Sequence, residues 1–413
     1  MKAEILSTGD EIRSGAIVDS NSAYIAQKLE EIGVEVIRHI CVGDDVDMLA
    51  STLTEIGNHS DIAVVTGGLG PTADDVSAVS AAKAAGVTLI LDKTALASVQ
   101  NFSKARKRFF SESNKKQAML PAGAECLTNP VGTAPGFSLK IGKCIFFFLP
   151  GVPSEMQYML TEMVMLRIKK LQGNTREFSE VRNIVTFGLT ESATGEKLTD
   201  FSRNFPCLKL GLRAKFPEIH IKLYARGNDE KQLYDVLDSA SDWILERFGK
   251  RVVSLDGSPL ETAVGNLLRR QKATVAIAES CTGGLISHRL TDIPGSSDYF
   301  LFSAVTYSND AKMNLLGVIP SILERHGAVH EHTAEMMAQG AKKISGATYG
   351  LSTTGIAGPS GGTVEKPVGT VCIGLAGPKG SRAKRYYFPF ENRLMNKQIF
   401  AMTALDILRR ELM

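Results

Sequence analysis

Short apolar runs that close on glycine and alternate with helical patterns constrain this chain more than any other feature. Ala3–Ser7 reads as a buried strand and Asn21–Ile32 as a helix whose first turn Ser20 or Asn21 can cap. Glu35–Val42 reads as a strand, Asp47–Gly57 as a helix, and Asp61–Thr66 as a strand ending in Gly67-Gly68. Strands separated by helices need crossover connections, which are right-handed and build a parallel sheet, so the class is α/β. After Pro121 the pattern turns strand-rich, and Pro153 suits the first turn of a further helix.

A polar break at Leu171-Gln172-Gly173-Asn174 opens a smaller unit. It has strands expected at Val181–Phe187 and His220–Ala225 and a helix at Asp229–Phe248, a compact α+β module. A second break, Asp256-Gly257-Ser258-Pro259, opens a third unit. Strands are expected there at Ala273–Ala278, Phe302–Tyr307, Leu351–Thr354, Gly369–Ala376 and Arg382–Phe388. Helices are expected at Leu260–Arg270, Gly283–Leu290, Thr333–Ile344 and Arg393–Leu412. At about 100–200 residues per domain, 413 residues hold two or three domains. We expect 1–170, 171–255 and 256–413. No internal repeat or low-complexity tract interrupts them.

With 44% apolar and 22% charged residues the chain is not disordered. A net charge of +3 is too mild to point to a nucleic-acid or membrane partner. The densest basic run, Lys104, Arg106, Lys107 and Arg108, is followed only by Phe109 and Phe110 as stacking aromatics and reads as a solvated helix face. Six cysteines lie without a Cys-x-x-Cys pair, and no signal-peptide apolar region follows Met1. The apolar run Cys144–Leu149 is far shorter than the roughly 20 residues of a spanning helix. A cytoplasmic location is expected.

Two loops at strand ends carry chemistry in the first unit: Thr8-Gly9-Asp10-Glu11, and Thr66 to Asp75 with Gly67, Gly68 and Gly70. Ligands of open α/β sheets sit beyond the carboxyl ends of the strands, and glycines let the backbone approach a phosphate. Asp10, Glu11, Asp74 and Asp75 offer oxygen ligands for a magnesium-type ion bridging to phosphates. The competing reading makes Asp74 and Asp75 caps of a helix starting near Val76.

In the third unit Glu279, Ser280, Cys281 and Thr282 lie between a strand and the helix opened by Gly283-Gly284. Such a turn projects a nucleophile and aims helix N–H groups at the same point, which suits acyl transfer. A serine needs a base, and Lys312, with Tyr307 nearby, is the candidate; a lysine acts as a base at neutral pH only when its pKa is lowered. Thr354, Gly355 and Gly358 belong to a glycine-rich loop suited to close ligand approach. The ordinary readings stand beside these: Ser280 or Thr282 as helix cap, Lys312 as surface charge, the glycines as a tight turn. His326, His330 and His332, with Glu331 and Glu335, read either as metal ligands or as a solvated segment at a helix start.

Three long motifs, Gly67 to Asp75, Asn129-Pro-Val-Gly-Thr-Ala-Pro-Gly-Phe137 and Leu149-Pro-Gly-Val-Pro-Ser-Glu-Met156, resemble the N-terminal domain of the CinA family. The resemblance implies a molybdopterin-binding-like fold that hydrolyses ADP-ribose to AMP and ribose 5-phosphate with a divalent metal, magnesium or cobalt. Ala73 stands where the family usually has lysine, which removes a phosphate contact, and Val76-Ser77 stand where it has Leu-Thr. Residues 171–255 resemble the family's KH-like module. They lack the Gly-x-x-Gly loop of an RNA-binding KH domain, so a structural or dimer-forming role is expected.

Ala278 to Gly284, Val305-Thr-Tyr-Ser-Asn309 with Lys312, Gly327-Ala-Val329, Thr354 to Pro359 and Glu365 to Thr370 look like the C-terminal CinA domain. Stand-alone forms of that domain convert nicotinamide mononucleotide (NMN) to nicotinic acid mononucleotide and ammonia. The resemblance places the family's nucleophile on Ser280, its lysine on Lys312, its tyrosine on Tyr307 and its loop hydroxyl on Thr354, with no cofactor. It also implies a homodimer. The expected mechanism has Ser280 attack the amide, Thr282 being the alternative nucleophile. Lys312 serves as base, Tyr307 orients the proton, and the N–H groups near Gly283 and Gly284 hold the oxyanion. Two rivals stand against this: a non-catalytic DNA-associated binding protein and a molybdopterin-handling protein.

Overall fold

The computed structural model describes residues 1–106, 110–173 and 178–413. Lys107, Arg108 and Phe109 of the basic run, and Asn174 of the first break, lie outside the described residues. The chain divides into two compact units, Met1–Glu180 with Ala225–Leu233, and Val181–Tyr224 with Tyr234–Met413. No helix among the described residues is long and apolar enough to cross a membrane.

The first unit opens β1 (Lys2–Thr8), α1 (Asp10–Arg13), α2 (Ser20–Glu31), β2 (Glu35–Val42), α3 (Val46–His59), β3 (Ile62–Thr66) and α4 (Ser77–Ala85). It continues through β4 (Leu89–Leu91), α5 (Lys93–Ala105), α6 (Glu112–Lys116), β5 (Met119–Pro121), β6 (Glu125–Leu127), β7 (Gly136–Ile141) and β8 (Cys144–Leu149). Helix α7 (Pro153–Met159) passes through a π turn, Leu160–Val164, into α8 (Met165–Gln172). Six strands form one sheet in the order β2-β1-β3-β8-β7-β6, the first four parallel and the last two antiparallel.

Strand β8 shows why this sheet is buried on both faces. Phe146 and Phe148 join one core layer with Leu49, Leu53 and Phe137, while Phe147 and Leu149 join the other with Ile25, Leu29 and Met156. Helix α2 is capped by Asp19, whose carboxylate accepts from the Ser22 N–H at 2.9 Å. Neither Ser20 nor Asn21 serves as that cap. Asn21 instead donates to Thr66 Oγ1 and Gly151 O, which ties the helix to the ends of β3 and β8.

The second unit opens with the four-stranded sheet β10-β11-β9-β12. Its elements are β9 (Phe178–Phe187), α9 (Glu191–Lys197), α10 (Phe201–Asn204), β10 (Leu208–Lys215), β11 (Glu218–Gly227), α11 (Glu230–Phe248) and β12 (Val252–Ser254). Strands β10 and β12 and the two short helices escape a periodicity reading because each is brief or weakly alternating. Val185, Phe187 and Val253 enter the same core as the helices that follow, so this sheet shares a core with the rest of the unit.

Then come α12 (Leu260–Gln271), β13 (Val275–Glu279), α13 (Leu285–Thr291), β14 (Phe300–Val305), α14 (Asn309–Leu316), α15 (Pro320–His326) and α16 (Glu331–Ser345). The chain closes with β15 (Tyr349–Gly355), β16 (Thr370–Gly377), β17 (Gly380–Tyr387) and α17 (Arg393–Glu411). The sheet order is β14-β13-β15-β16-β17, with β14, β13 and β15 parallel and the other two antiparallel. Alternation along β13 sorts the two layers. Val275 and Ile277 face α12, α13 and α17; Ala276 and Ala278 face α14, α15 and α16.

Helix α16 lies unusually low on this sheet. A Cβ on Gly374 would stand 2.3 Å from the Ala334 carbonyl, and one on Gly350 would stand 2.0 Å from that of Ala338. Both neighbours are backbone and cannot swing aside. Gly374→Ala is therefore expected to lower stability by about 1–3 kcal/mol, read as a lower denaturant midpoint; an unchanged midpoint would show that the layer has slack.

Candidate active site

Strands β13, β14 and β15 all deliver their carboxyl ends to one edge of the second sheet, where ligands of such folds bind. Ser280 follows β13, Thr306 and Tyr307 follow β14, and Thr353 and Thr354 end β15. The Ser280 N–H donates to Thr353 O at 2.9 Å and the Thr306 N–H to Glu279 O at 2.8 Å, which extends the sheet register into the loops.

Lys312 is carried in by α14, which Ser308 caps by accepting from the Ala311 N–H at 3.1 Å. The lysine is 1% exposed, so the surface-charge reading does not apply. Its Nζ lies 3.2 Å from Ser280 Oγ, 2.8 Å from Thr306 O and 3.3 Å from Tyr307 O. No carboxylate pairs with it among the described residues. Burial lowers its pKa from the ordinary lysine value, with a smaller opposing effect of Cys281.

The three hydroxyl or thiol side chains of the turn are not equivalent. Thr282 is fully buried and its hydroxyl is 2.7 Å from that of Thr353. Cys281 is buried and its thiol is pushed up to about 12, so it holds its proton at neutral pH. Ser280, 8% exposed, is the one that meets Lys312.

Neither Ser280 nor Thr282 caps α13. That helix takes its cap from Glu279, the last residue of β13, which is wholly buried. Its Oε2 accepts from the N–H groups of Gly284 (2.9 Å) and Ile286 (3.2 Å); its Oε1 accepts from the N–H (2.9 Å) and Oγ (2.7 Å) of Ser287. The Gly283 N–H donates to Ser280 O at 3.1 Å. The two N–H groups expected to hold an oxyanion are thus both committed inside the protein. That of Thr282 has no acceptor among the described residues, and that of Cys281 has none there beyond its own side chain.

Tyr307 meets Lys312 through its carbonyl, not its phenol. Its ring is 63% exposed, and its hydroxyl accepts from Arg393 Nη2 at 3.1 Å. Arg393 also donates from Nη1 to Gly358 O at 2.7 Å, bridging the loops after β14 and β15. One turn further along α17, Lys397 Nζ would stand 3.5 Å from a Cβ on Gly283. Sequence reasoning missed both cations. The available signal was their position: positive charge in the first turns of a helix opposes the helix dipole. Thr354 is buried and donates to Ala328 O at 2.8 Å, and Gly355 packs against Thr370 O.

The histidines stack, with His326 and His330 ring centroids 4.3 Å apart, and His330 caps α16 by accepting from the His332 N–H. Among the described residues no group of three or more His, Cys, Asp or Glu side chains is placed to hold a metal ion.

The first unit has its own cavity, of about 420 Å³, at the carboxyl ends of β1, β3 and β8. Gly67, Gly68, Gly70, Glu11, Asp74 and Asp75 line it, and Asp19, Asp44 and Glu155, which the sequence reading did not single out, line it too. Gly67, at φ 109°, brings β3 so close to β1 that a Cβ there would meet Thr8 O at 2.4 Å. Asp10 is the exception among the predicted ligands: its carboxylate turns back to Arg13 at 3.0 Å and does not line the cavity. Asp75 does not cap α4 either. It accepts from the N–H and hydroxyl of Thr72 at 2.8 and 2.6 Å, and α4 begins after Val76 without a side-chain cap. Burial raises the Asp44 pKa, and the nearby charges of Asp10, Glu11 and Asp74 raise it further.

The family models for the probable molybdopterin binding domain, the damage-inducible protein CinA KH domain and the CinA C-terminal domain match residues 4–170, 181–254 and 257–412. A CinA-like protein of Desulfosudis oleivorans is 52% identical over 413 residues, covering all of both chains. One of Geobacter metallireducens is 44% identical with the same coverage. Among solved structures, the competence/damage inducible protein CihA of Agrobacterium tumefaciens is 39% identical over 37% of this chain and 93% of its own, with a TM-score of 0.36.

The site geometry makes a prediction about thiols. Alkylation of the native protein followed by peptide mass mapping is expected to modify exposed Cys41 and Cys207 and spare buried Cys281. Rapid modification of Cys281 would mean that its turn opens.

Proposed function

The chain belongs to the CinA family, and we propose that its C-terminal part is an amidase that deamidates NMN through Ser280 and Lys312. The observation that carries this reading is the buried Lys312 amine, 3.2 Å from Ser280 Oγ and unpaired with any carboxylate among the described residues. A neutral amine has two N–H donors and one lone pair. The carbonyls of Thr306 and Tyr307 take the two donors, so the lone pair turns to the Ser280 hydroxyl and can receive its proton.

The serine oxygen then adds to the carboxamide carbon. The N–H groups of Cys281 and Thr282 are the donors left for the oxyanion. Lys312 returns the proton to the departing ammonia, and water, activated by the same amine, releases nicotinic acid mononucleotide from the acyl-serine. Arg393, beside Tyr307 and Gly358, and Lys397, beside Gly283, would hold the nucleotide phosphate in this reading. The Tyr307 phenol lies beside Arg393, so this reading gives it a contact with the substrate in place of the expected one with Lys312.

Ammonia release from NMN tests this. Ser280→Ala is expected to lower kcat by at least about 10³-fold; undiminished turnover would end the proposal. In the wild type kcat/KM should rise with pH as Lys312 loses its proton, with a midpoint below 10.5 because burial disfavours the ammonium. Lys312→Met should abolish that limb.

The acidic cavity of the first unit favours a second reading, hydrolysis of ADP-ribose to AMP and ribose 5-phosphate. Its oxygen-only donors fit a hard divalent cation, which often binds through one or two carboxylates plus substrate phosphates. No three carboxylates are grouped for an ion among the described residues, so Asp44 and Glu11 would hold magnesium or cobalt there only together with the substrate phosphates, whose charge the ion would neutralise. Lys116, which donates to Thr72 O beside this loop, supplies positive charge near the place that Ala73 leaves without it. With ADP-ribose and either metal, Asp44→Asn is expected to slow AMP formation at least about tenfold. AMP formation at the wild-type rate would exclude Asp44 from the site.

A further inference from the structure

Glu279 is a buried carboxylate with no cationic partner among the described residues. Such a group is costly to retain unless hydrogen bonds replace its lost hydration. Four donors do so: three backbone N–H groups of the start of α13 and the Ser287 hydroxyl, at 2.7 to 3.2 Å. The Ser287 hydroxyl is itself 2.5 Å from that of Ser303 on β14.

This is not an ordinary helix cap. The Ncap position is Gly284, in the left-handed region at φ 91°, and the capping oxygens come from five residues upstream, at the end of a strand. The carboxylate therefore joins the end of β13 to the start of α13, with Ser280 to Gly283 as the loop closed between them. From the other side, the main chain at 279 and 280 is fixed by Thr306 N–H and Thr353 O. Within the turn, the Gly283 N–H donates to Ser280 O and the Thr282 hydroxyl meets that of Thr353, and Glu279 ties the two ends of that loop together.

The bonding pattern also decides which amides stay free. Glu279 takes the N–H groups of Gly284, Ile286 and Ser287, that of Leu285 goes to Thr282 O, and no backbone carbonyl among the described residues takes those of Cys281 and Thr282.

We propose that Glu279 is a positioning residue: its carboxylate sets the Ser280 turn so that the hydroxyl meets Lys312 and the Cys281 and Thr282 amides face the developing oxyanion. The proposal rests on the serine–lysine reading of the site, not on NMN as the substrate.

Two readouts on the full-length protein test it. An alkyl fluorophosphonate labels an activated serine: the Ser280 Oγ–P bond forms, the P–F bond breaks, fluoride leaves, and the proton passes to Lys312. The phosphonyl oxygen occupies the place of the oxyanion. Glu279→Gln keeps the size but turns an NH₂ group toward N–H donors. It is expected to slow labelling of Ser280 and kcat for NMN by roughly 10²–10³-fold, as when an oxyanion donor is lost, while KM changes less than about threefold. Ser287→Ala, which removes one of the four donors, should give a smaller loss in the same direction.

Labelling and kcat at wild-type levels in a folded Glu279→Gln protein would overturn the proposal. So would a rise in KM with kcat retained. If Glu279→Gln does not fold, Ser287→Ala decides by the same criterion. A wild type that is labelled but releases no ammonia from NMN would sink the substrate assignment and leave the positioning test intact. A wild type that resists labelling would overturn both.

Discussion

The second unit is organised around an amine taken out of water. Lys312 has exchanged its hydration for two backbone carbonyls and one hydroxyl, and that exchange works only if three loops hold their places. The β14 loop must present the Thr306 and Tyr307 carbonyls, α14 must enter at the right depth, and the β13 turn must bring Ser280 forward. Low-lying α16 and the parallel register of β13, β14 and β15 supply that rigidity. The same desolvation that costs stability lowers the lysine's pKa, because the charged form loses more on burial than the neutral one.

Much of this was legible in the sequence. Apolar runs separated by helical periods placed β1, β2 and β3 of the first sheet and β13 to β17 of the second to within a few residues, whereas β6, β7 and β8 were read only as a strand-rich stretch. The nucleophile turn was visible as a strand running into paired glycines. The burial of Lys312 was not, since it depends on how deeply α14 packs. Glu279 was hidden for a related reason: a carboxylate beside a serine looks like any polar loop residue until the amides it collects are seen. Lys397 comes to Gly283 of the Ser280 turn, and Arg393 to Tyr307 and Gly358, only through the fold.

The first unit gives the opposite lesson. Its loops meet at the edge of one cavity as expected, and of the four expected carboxylates Glu11, Asp74 and Asp75 line it while Asp10 does not. Asp10 satisfies itself locally on Arg13, and Asp75 folds back onto Thr72, both within three residues in sequence. Short-range hydrogen bonding of this kind competes with long-range assembly. Asp44, at a strand end read only for its secondary structure, faces the cavity instead.

The way Glu279 fills the start of α13 bears on the direction in which a ligand can lie. In many α/β folds the first turn of a helix after a strand is the natural seat for a phosphate. Here an internal carboxylate already sits in that seat, and its charge repels a second anion. Negative charge at this edge of the sheet is disfavoured beside Glu279 and favoured beside Arg393 and Lys397. The occupied helix start thus gives this edge of the sheet a polarity, with a carboxylate at the Ser280 turn and two cations on the side of α17.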